Sequence, residues 1–255
     1  MYFEKITKLP LLQDLVETTW QSQINVGDSA FVTPDGTSDI IIKANSNSAS
    51  IFLCGVMTRP SHFHYDENRK YFGIRFRPGF SSLFFNATDK TNQLILLDKI
   101  FSKKNQIEDL MQSPVENHFL IEALIFEQLL KGVNETYLRE KIKLVTEYSK
   151  VQYGEVNAQA IKMNISRRQF SSNFKKYFGY DPRYFSKIKK FNAFLKRVSN
   201  NKKASLSELA IDCGFYDQSD LCHTVKEISG LTPRYLISQV YNTKIDYEPI
   251  LLSGG

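Results

Sequence analysis

The hydrophobic pattern of the chain has two different periods. In the N-terminal part, short runs rich in Ile, Phe and Val alternate with turn clusters such as "TPDG" and "RPG", which predicts strands over 38–44, 50–57 and 71–77. Strands at this spacing are typical of a sandwich or a small barrel. We expect helical pieces around 10–20 and 79–88 to complete this domain.

The period becomes helical over 116–131, "ENHFLIEALIFEQLLK", where apolar residues leave only a narrow polar stripe. One face of such a helix can cover the N-terminal domain, and the remaining apolar surface needs another partner. Two interpretations stay open: a single core helix, or a helix that pairs two copies of the chain. In the second, Leu124 and Ile125 lie at the pairing face of a homodimer.

The remaining sequence to about residue 240 is nearly all helical and contains a tandem repeat. Residues 160–184 align with residues 210–235 at an offset of 50, which becomes 51 after one inserted residue. The matched positions include alanine, glycine and the Pro-Arg-Tyr triplet that closes each copy: Ala160 with Ala210, Gly179 with Gly230, and Pro182-Arg183-Tyr184 with Pro233-Arg234-Tyr235. A register of this length indicates a duplication.

Each copy has the sequence pattern of a helix-turn-helix. The first helix ends at a residue able to take a positive φ, Asn164 or Gly214, and Ser166 or Asp217 then caps the second helix. A glycine ends that helix, and a proline opens the next element. The spacing predicts that each second helix buries one apolar row, namely Phe170, Phe174 and Phe178, or Leu221, Val225 and Ile228.

Burial of the phenylalanines determines what the opposite face of the first copy's second helix presents. That face carries arginine and serine near its start and lysine further along, the residue types that contact base edges and phosphates in a major groove. These residues are Arg167, Arg168, Ser171, Ser172, Lys175 and Lys176. A solvated basic face is the alternative for a single helix; the duplication favours double-stranded DNA, because two copies can reach successive grooves.

Charge supports this interpretation and distinguishes the two copies. The whole chain carries +6, while residues 139–240 hold 19 Lys and Arg against 9 Asp and Glu. Residues 150–203 hold 14 basic and 2 acidic residues, whereas residues 205–240 hold 2 basic and 5 acidic ones. A basic module of this kind meets a polyanion. We therefore expect the first copy to dominate DNA affinity and the second to read bases weakly or face RNA polymerase.

The second copy, "GFYDQSDLCHTVKEISGLTPRYL", resembles the AraC/XylS class of bacterial transcription regulators over roughly 150–236. The resemblance implies base reading at the start of each second helix, here by Arg168, Ser171 and Ser172 in copy one. In copy two it implies Gln218, Ser219, Cys222 and His223, with Lys226 standing where copy one has Lys175. Three positions depart from the family pattern: Val225, Gln159 in a normally apolar place, and Asp220 on the DNA-side helix.

The N-terminal half resembles the sensor-like domain found on one branch of the same family. The resemblance covers about residues 5–110 and rests on "TPDGTSDIIIKA" and on "FGIRFRPGF", which contains a GxRFxPG motif. Within that motif, Arg75 and Arg77 alternate with apolar residues, so they share one face of a strand. Inside a barrel mouth they would suit an anionic effector, and on an outer face they would be solvated or paired with acids.

Other chemistry is sparse in the sequence. His62 and His64 alternate in "SHFHYDE" and could face a metal, but no third ligand pattern accompanies them, so we predict neither a metal nor a cofactor. We find no paired carboxylates, no catalytic triad pattern and no glycine-rich phosphate loop. An enzyme with reactive cysteines, as in some DNA-repair regulators, would need a cysteine cluster, and the N-terminal half contains only Cys54.

These observations together predict an α+β protein that is not an enzyme. We expect a β-rich sandwich- or barrel-like domain at 1–115, a linker helix at 116–137, two helix-turn-helix units joined by a helix at 138–240, and a tail at 241–255. The absence of a long apolar run and of a CxxC pair predicts no membrane span and a cytoplasmic location. The N-terminal domain either senses a small-molecule effector or is controlled by a protein partner.

Overall fold

The computed structural model describes residues 2–23, 29–45, 48–64, 66, 68–86, 90–152, 154–200, 204–242 and 252–253. Its N-terminal part is β-rich and its C-terminal part is helical, which confirms the predicted fold class. Along these residues, no helix is both long enough and apolar enough to cross a bilayer.

The described strands form two antiparallel sheets. They are β1 (Tyr2–Lys5), β2 (Val16–Gln23), β3 (Ser29–Val32), β4 (Ser38–Ala44), β5 (Ala49–Cys54), β6 (Ser61–His64), β7 (Lys70–Phe76), β8 (Leu94–Leu96) and β9 (Leu252–Ser253). The larger sheet has the strand order β1-β2-β7-β4-β5-β8, and the smaller one has the order β6-β3-β9. The three strands predicted from the sequence correspond to β4, β5 and β7.

The predicted helix around 10–20 is wrong. Only Pro10–Leu12 forms a short 3-10 helix, and β2 follows it from Val16. Residues 18–20 are Thr, Thr and Trp, which favour strands, and β2 is hydrogen-bonded to β1 on one side and to β7 on the other. The segment predicted as a helix at 79–88 contains a 3-10 turn at Phe80–Leu83.

The larger sheet contributes apolar residues to two clusters. Ile40, Ile42, Phe72 and Phe76 face the main core, which continues without interruption into the helical part of the molecule. On the other face, Trp20 packs with Ile41 and Tyr71 and with residues of the smaller sheet. Both faces are therefore covered, which explains why β4 is apolar along nearly its whole length rather than alternating.

The described helices are α1 (Lys104–Leu110), α2 (His118–Leu129), α3 (Glu135–Ser149), α4 (Val156–Lys162), α5 (Arg167–Phe178), α6 (Pro182–Asn200), α7 (Leu206–Asp212), α8 (Gln218–Ser229) and α9 (Pro233–Asn242). In α2, Ile125 is fully buried in the core, so the prediction that it lies at a pairing face is wrong. Phe119 and Leu120, in the first turn of this helix, are its exposed apolar residues.

The duplicated pattern folds as two helix-turn-helix units, α4–α5 and α7–α8, joined by α6. Asn164 has φ 54° and Gly214 has φ 76°, as predicted for the residues that end the first helices. Ser166 and Asp217 cap α5 and α8 by accepting hydrogen bonds from the backbone N–H groups of Gln169 and Asp220. The agreement is close because caps and left-handed positions depend on local sequence.

Candidate DNA-binding surface

An aromatic cluster fixes the orientation of α5. Phe170, Phe174 and Phe178 are fully buried, and the rings of Phe174 and Phe178 stack with their centroids 4.0 Å apart. Tyr148 of α3 packs against Phe170 at 5.0 Å, and its hydroxyl accepts a hydrogen bond of 2.8 Å from the side-chain amide of Asn173. With this face held inside, the opposite face of α5 must point to solvent.

The exposed face of α5 carries the side chains predicted to contact DNA. Arg167, Arg168, Ser172, Lys175 and Lys176 are exposed, and Ser171 is half-buried beside them. The described residues contain no acidic partner within ion-pair distance of either arginine. The two guanidinium groups near the helix start are thus available to a guanine edge or to a phosphate.

The equivalent face of α8 is polar but only weakly basic. Gln218, Ser219, His223 and Lys226 are exposed, and Cys222 is half-buried at the position equivalent to Ser171. The Ser207 hydroxyl of α7 donates a 2.9 Å hydrogen bond to Oε1 of Gln218, which orients that amide at the start of the helix. The structure thus brings the two sets of predicted residues to equivalent places on the two units.

Asp220, the acidic residue predicted on the second helix of copy two, is engaged by groups of the protein itself. Its Oδ2 accepts a 3.0 Å hydrogen bond from the backbone N–H of Tyr216 and lies 3.6 Å from Nζ of Lys190 on α6. A second acid of α8, Glu227, pairs with Lys187 of α6 at 2.6 Å. Both acidic residues therefore attach α8 to the connecting helix.

The two other departures from the family pattern, Gln159 and Val225, are both buried. Gln159 is buried, and its Nε2 donates a 2.9 Å hydrogen bond to the carbonyl of Glu147 at the end of α3, so its amide is partnered. Val225 is fully buried between Leu221 and Ile228 on the inner face of α8. Both residues are therefore accommodated inside their units.

The β-rich part docks on the end of α5 through residues that the sequence analysis did not single out. The Tyr180 hydroxyl donates a 3.0 Å hydrogen bond to the carbonyl of Gly36, and the Tyr184 hydroxyl donates one of 2.8 Å to the carbonyl of Thr58. Gly79 packs against the Phe178 ring, and a Cβ there would lie 2.9 Å from Cζ. Because Gly79 has φ 87°, both its backbone and its contact favour glycine.

Two of these docking loops are the turn clusters "TPDG" and "RPG". The sequence signal that could have identified them as contacts was their position along the chain and not their polarity. Gly36 also has a positive φ, and a Cβ on it would lie 2.8 Å from the Tyr180 hydroxyl. Burial raises the pKa of the Tyr180 hydroxyl well above its usual value, so the hydroxyl also remains a donor at alkaline pH. The interface is thus specified by backbone approach at two glycines.

The two arginines of the GxRFxPG motif lie in different environments. Arg75 is buried between three carboxylates, with Nε 3.3 Å from Asp39 and 3.7 Å from Asp35, and NH1 3.6 Å from Glu4. Burial raises the pKa of Asp39 even though Arg75 opposes that rise. The charge of Arg75 is therefore compensated within the domain.

Arg77, in contrast, is exposed, and its Nε donates a 3.1 Å hydrogen bond to the carbonyl of Gln13. It lines a cleft of about 290 Å³ between the β-rich part and α6. Of the two predicted effector contacts, only Arg77 therefore faces an open site.

The structure offers little to a metal or to cysteine chemistry. Across the described part of the chain, no group of three His, Cys, Asp or Glu side chains could hold a metal. His62 is exposed on β6, and the side chain of His64 lies outside the described residues. Burial raises the pKa of the Cys54 thiol to about 12, so this cysteine stays protonated and unreactive at neutral pH.

Comparison with known proteins assigns a family model to each half of the molecule. Residues 159–238 match a helix-turn-helix domain, and residues 6–93 match a domain of unknown function, DUF6597. The first match covers nearly all of the two units described above. The family predicted from the duplicated motif is thereby confirmed. The assignment of the GxRFxPG motif to a sensor-like branch of that family stays a prediction.

The similar curated proteins are bacterial transcriptional regulators. A probable transcriptional regulator, LumQ of Photobacterium leiognathi, is 23% identical over 160 residues, which are 60% of this chain and 62% of LumQ. GbdR of Pseudomonas aeruginosa, an HTH-type transcriptional regulator, is 29% identical over 104 residues, 40% of this chain and 28% of GbdR. The chain thus spans less than two thirds of the length of these relatives, which are regulators and not enzymes.

Among solved structures, ToxT from Vibrio cholerae O395 aligns with a TM-score of 0.47 at 10% identity, covering 88% of this chain and 97% of ToxT. A ToxT structure with a bound unsaturated fatty acid aligns with a TM-score of 0.44 at 12% identity, covering 97% and 98%. The family assignment rests on the sequence matches and on the two units. The chain combines an AraC-type helix-turn-helix domain with a DUF6597 domain.

Proposed function

We propose that this protein is a sequence-specific, cytoplasmic regulator of transcription that binds double-stranded DNA through α5 and α8. One observation carries the proposal: two capped helices of 12 residues each bury one face and present predicted base-reading side chains at equivalent positions on the other. Two such helices on one rigid connector suit successive major grooves of a duplex. We also propose residues 138–240 as the DNA-binding module.

The first unit supplies most of the affinity in this proposal. Its helix α5 carries four cations and no acid, while both acids of α8 are engaged with α6. Phosphate contacts dominate the strength of protein–DNA binding and make it depend on salt. The second unit then adds modest base readout through Gln218, Ser219 and His223, and its neighbouring surface is a candidate contact for RNA polymerase.

A direct test selects DNA sequences that bind the full chain from a random pool and measures affinity for the best of them at increasing salt. We expect specific binding with an affinity that falls steeply as salt rises, because bound protein releases counterions. A mixture of random sequences should bind more weakly at every salt concentration. Failure to enrich any sequence at low salt would contradict the proposal.

We further propose that the N-terminal domain controls DNA binding through its contact with α5 and α6. Tyr180 and Tyr184, at the junction of these two helices, are hydrogen-bonded to the N-terminal loops, so any rearrangement of those loops moves the DNA-binding units. An effector in the N-terminal domain is the proposed signal. Control by a protein partner of the N-terminal domain is the second candidate.

A homodimer formed through α2 is the proposed assembly. Phe119 is 49% exposed and Leu120 is 52% exposed, and Leu120 lines a groove of about 600 Å³ with Leu124 and Leu110 of α1. Burial of such a side chain contributes about 1.5–3 kcal/mol before association costs are subtracted. Two copies joined here would hold two DNA-binding modules over repeated half-sites.

Light scattering at micromolar concentration tests this assembly on the full chain. We expect a dimer for the natural protein and a folded monomer when Leu120 and Leu124 are both replaced by Glu. The matched control, Lys131→Glu, changes an exposed residue just after the helix and should leave the dimer intact. A natural protein that is monomeric with and without DNA would leave α2 as a core helix only.

A further inference from the structure

The cleft between the two halves of the molecule has charged walls of both signs. The β-rich wall presents Glu17, Asp35 and Arg77, and the wall formed by α6 presents Lys189 and Asn192. Phe185 and Ile188 contribute apolar surface between the charged groups. The volume of about 290 Å³ is at the small end of the range for ligand sites in proteins.

One acidic and one basic side chain of this cleft, Glu17 and Lys189, form no ion pair with any described residue. The Glu17 carboxylate forms no hydrogen bond and no ion pair with any described residue. The Lys189 ammonium donates a 3.4 Å hydrogen bond to the carbonyl of Val151 and lies 5.3 Å from the centroid of the Phe185 ring, and it forms no ion pair with a described acid. Both side chains keep contact with solvent, and their partial burial raises the pKa of Glu17 and lowers that of Lys189. The two charges also do not pair with each other.

An irregularity in β2 aims Glu17 into the cleft. The pairing of β2 with β7 shifts register between Val16 and Thr18, so Glu17 has no partner residue on β7. Val16 and Thr18 are buried, and Glu17 keeps contact with solvent through the mouth of the cleft. Bulges of this kind redirect a side chain and are frequent beside binding sites.

We propose that this cleft binds a small zwitterion of the amino acid class, with its ammonium group at Glu17 and its carboxylate at Lys189 and Arg77. Asp35 supports the ammonium end, although it already lies 3.7 Å from Arg75. Two acids and two bases in the lining balance each other, so a ligand without net charge leaves every charge paired. The inference rests on the proposed function, since it names the class of effector for the N-terminal domain.

Such a ligand would connect the two halves of the protein. Glu17 and Arg77 belong to the β-rich half, whereas Lys189 lies on α6, the helix that joins the two DNA-binding units. A zwitterion held at both ends therefore fixes α6 relative to the N-terminal domain. This coupling predicts that the ligand changes affinity for DNA and, by reciprocity, that DNA changes affinity for the ligand.

Thermal unfolding of the full chain tests the proposal with defined probes. The probes are the standard amino acids and the ω-amino acids from β-alanine to 6-aminohexanoate, which separate the two charges by increasing distances. We expect at least one of them to raise the melting temperature by about 2 °C or more at saturating concentration. If none does so, the zwitterion proposal is overturned.

Matched compounds separate a zwitterion site from a simple charge site. For a binder such as L-leucine, isopentylamine lacks the carboxylate and 4-methylpentanoate lacks the ammonium group. We expect each to bind at least about tenfold more weakly than the parent, as loss of one charged contact predicts. A monoanion or a monocation that binds as tightly as the zwitterion would show a site for one charge only and would contradict the proposal.

Substitutions in the cleft complete the test. Glu17→Gln and Lys189→Gln should each lower affinity for the best probe at least about tenfold, while Glu116→Gln and Lys131→Gln, at exposed positions outside the cleft, should not. The melting temperature without ligand shows whether each variant is folded. Unchanged probe affinity in both cleft variants would overturn the assignment.

DNA binding by the same preparations separates the two proposals. If DNA binding persists and no probe binds, only the zwitterion inference fails. If the natural protein does not bind DNA, the proposed function is contradicted instead.

Discussion

The two helix-turn-helix units share a backbone plan and differ in what surrounds them. Helices α5 and α8 each have 12 residues. Each begins after a residue whose side chain caps the helix and ends at a glycine in the left-handed conformation. The first unit has an aromatic core, exposes four cations on α5 and contacts the N-terminal loops through Tyr180. In the second unit the buried row of α8 is aliphatic, and the ion pairs of Asp220 and Glu227 attach α8 to α6.

The two copies of the duplication therefore share the geometry of the helix-turn-helix, while the side-chain chemistry of the exposed face differs between them. Both units need the cap, the turn and the buried row, because those features define the helix-turn-helix itself. The exposed face carries no such requirement, so one copy can keep the attraction for phosphate while the other uses its charges for attachment to α6. Among the described residues, Tyr180 of the first unit's closing turn and Tyr184 of α6 donate hydrogen bonds to the N-terminal domain.

The largest expected difference between the units lies in the cost of opening their cores. Phe174→Ala should lower the free energy of unfolding by about 3–5 kcal/mol, and the equivalent Val225→Ala by about 1.5–3 kcal/mol. Both side chains are fully buried, but Phe174 also stacks on Phe178 and contacts Tyr148 and Phe185. Chemical denaturation followed by circular dichroism measures both values. Equal losses would show that the aromatic core is no more tightly packed than the aliphatic one.

The local features of both units were predictable from the sequence, since they depend on residues close to one another. Asn164, Gly214 and the caps follow from turn chemistry, and the buried rows follow from helical spacing. The strand at Val16–Gln23 was missed although Thr18, Thr19 and Trp20 favour a strand. Its pairing with β7, which is distant in the sequence, could not be seen in the local pattern.

For the candidate sites too, features set by nearby residues were predictable, and features set by residues distant in sequence were not. The exposed face of α5 could be predicted because the phenylalanines define the opposite face. In contrast, the partners of Arg75 and the direction of Asp220 depend on residues far away in sequence, Glu4 and Lys190. The cleft at Glu17 depends on a register shift, for which the sequence contains no visible signal.

The next difference concerns base recognition by the two exposed faces. Arg168→Ala should weaken binding to the selected site by about 1–3 kcal/mol, the value of a good bidentate contact, and relax preference at one base pair. Ser219→Ala, at the equivalent position of α8, should cost about 0.5–1.5 kcal/mol, as expected for one neutral hydrogen bond. Affinities for a set of single-base variants of the site measure both. Equal weakening on all sequences would make Arg168 a phosphate contact.

A smaller difference is expected at an aligned position where copy one has a lysine and copy two has an acid. Lys176→Ala should weaken binding to all sequences alike and reduce the slope of log affinity against log salt by about 1. At the equivalent position, Glu227→Ala releases Lys187 from its 2.6 Å ion pair and should slightly strengthen binding to random DNA. Lys131→Ala is the control. Opposite signs in the two variants would confirm the proposed division of charge.

The smallest expected effect distinguishes the first helices of the two units, α4 and α7, by their response to acid. Helix α7 begins with a reciprocal cap, in which the backbone N–H of Ser205 donates a 2.7 Å hydrogen bond to Glu208 and the Ser205 hydroxyl accepts one of 3.2 Å from the N–H of Glu208. This hydrogen bond from the Ser205 backbone lowers the pKa of Glu208. Helix α4 has no side-chain cap at Glu155.

The sign of the effect follows from that lowered pKa. The cap stabilises α7 fully above the ordinary carboxyl value of 4.5 and is lost as pH falls through the lower value of the folded state. Amide hydrogen exchange in α7 should therefore speed up relative to α4 between about pH 5 and pH 3, the comparison with α4 removing the intrinsic pH dependence. In Glu208→Gln the amide oxygen accepts at every pH, so the ratio should stay constant. A constant ratio in the natural protein would show that the cap does not limit the opening of α7.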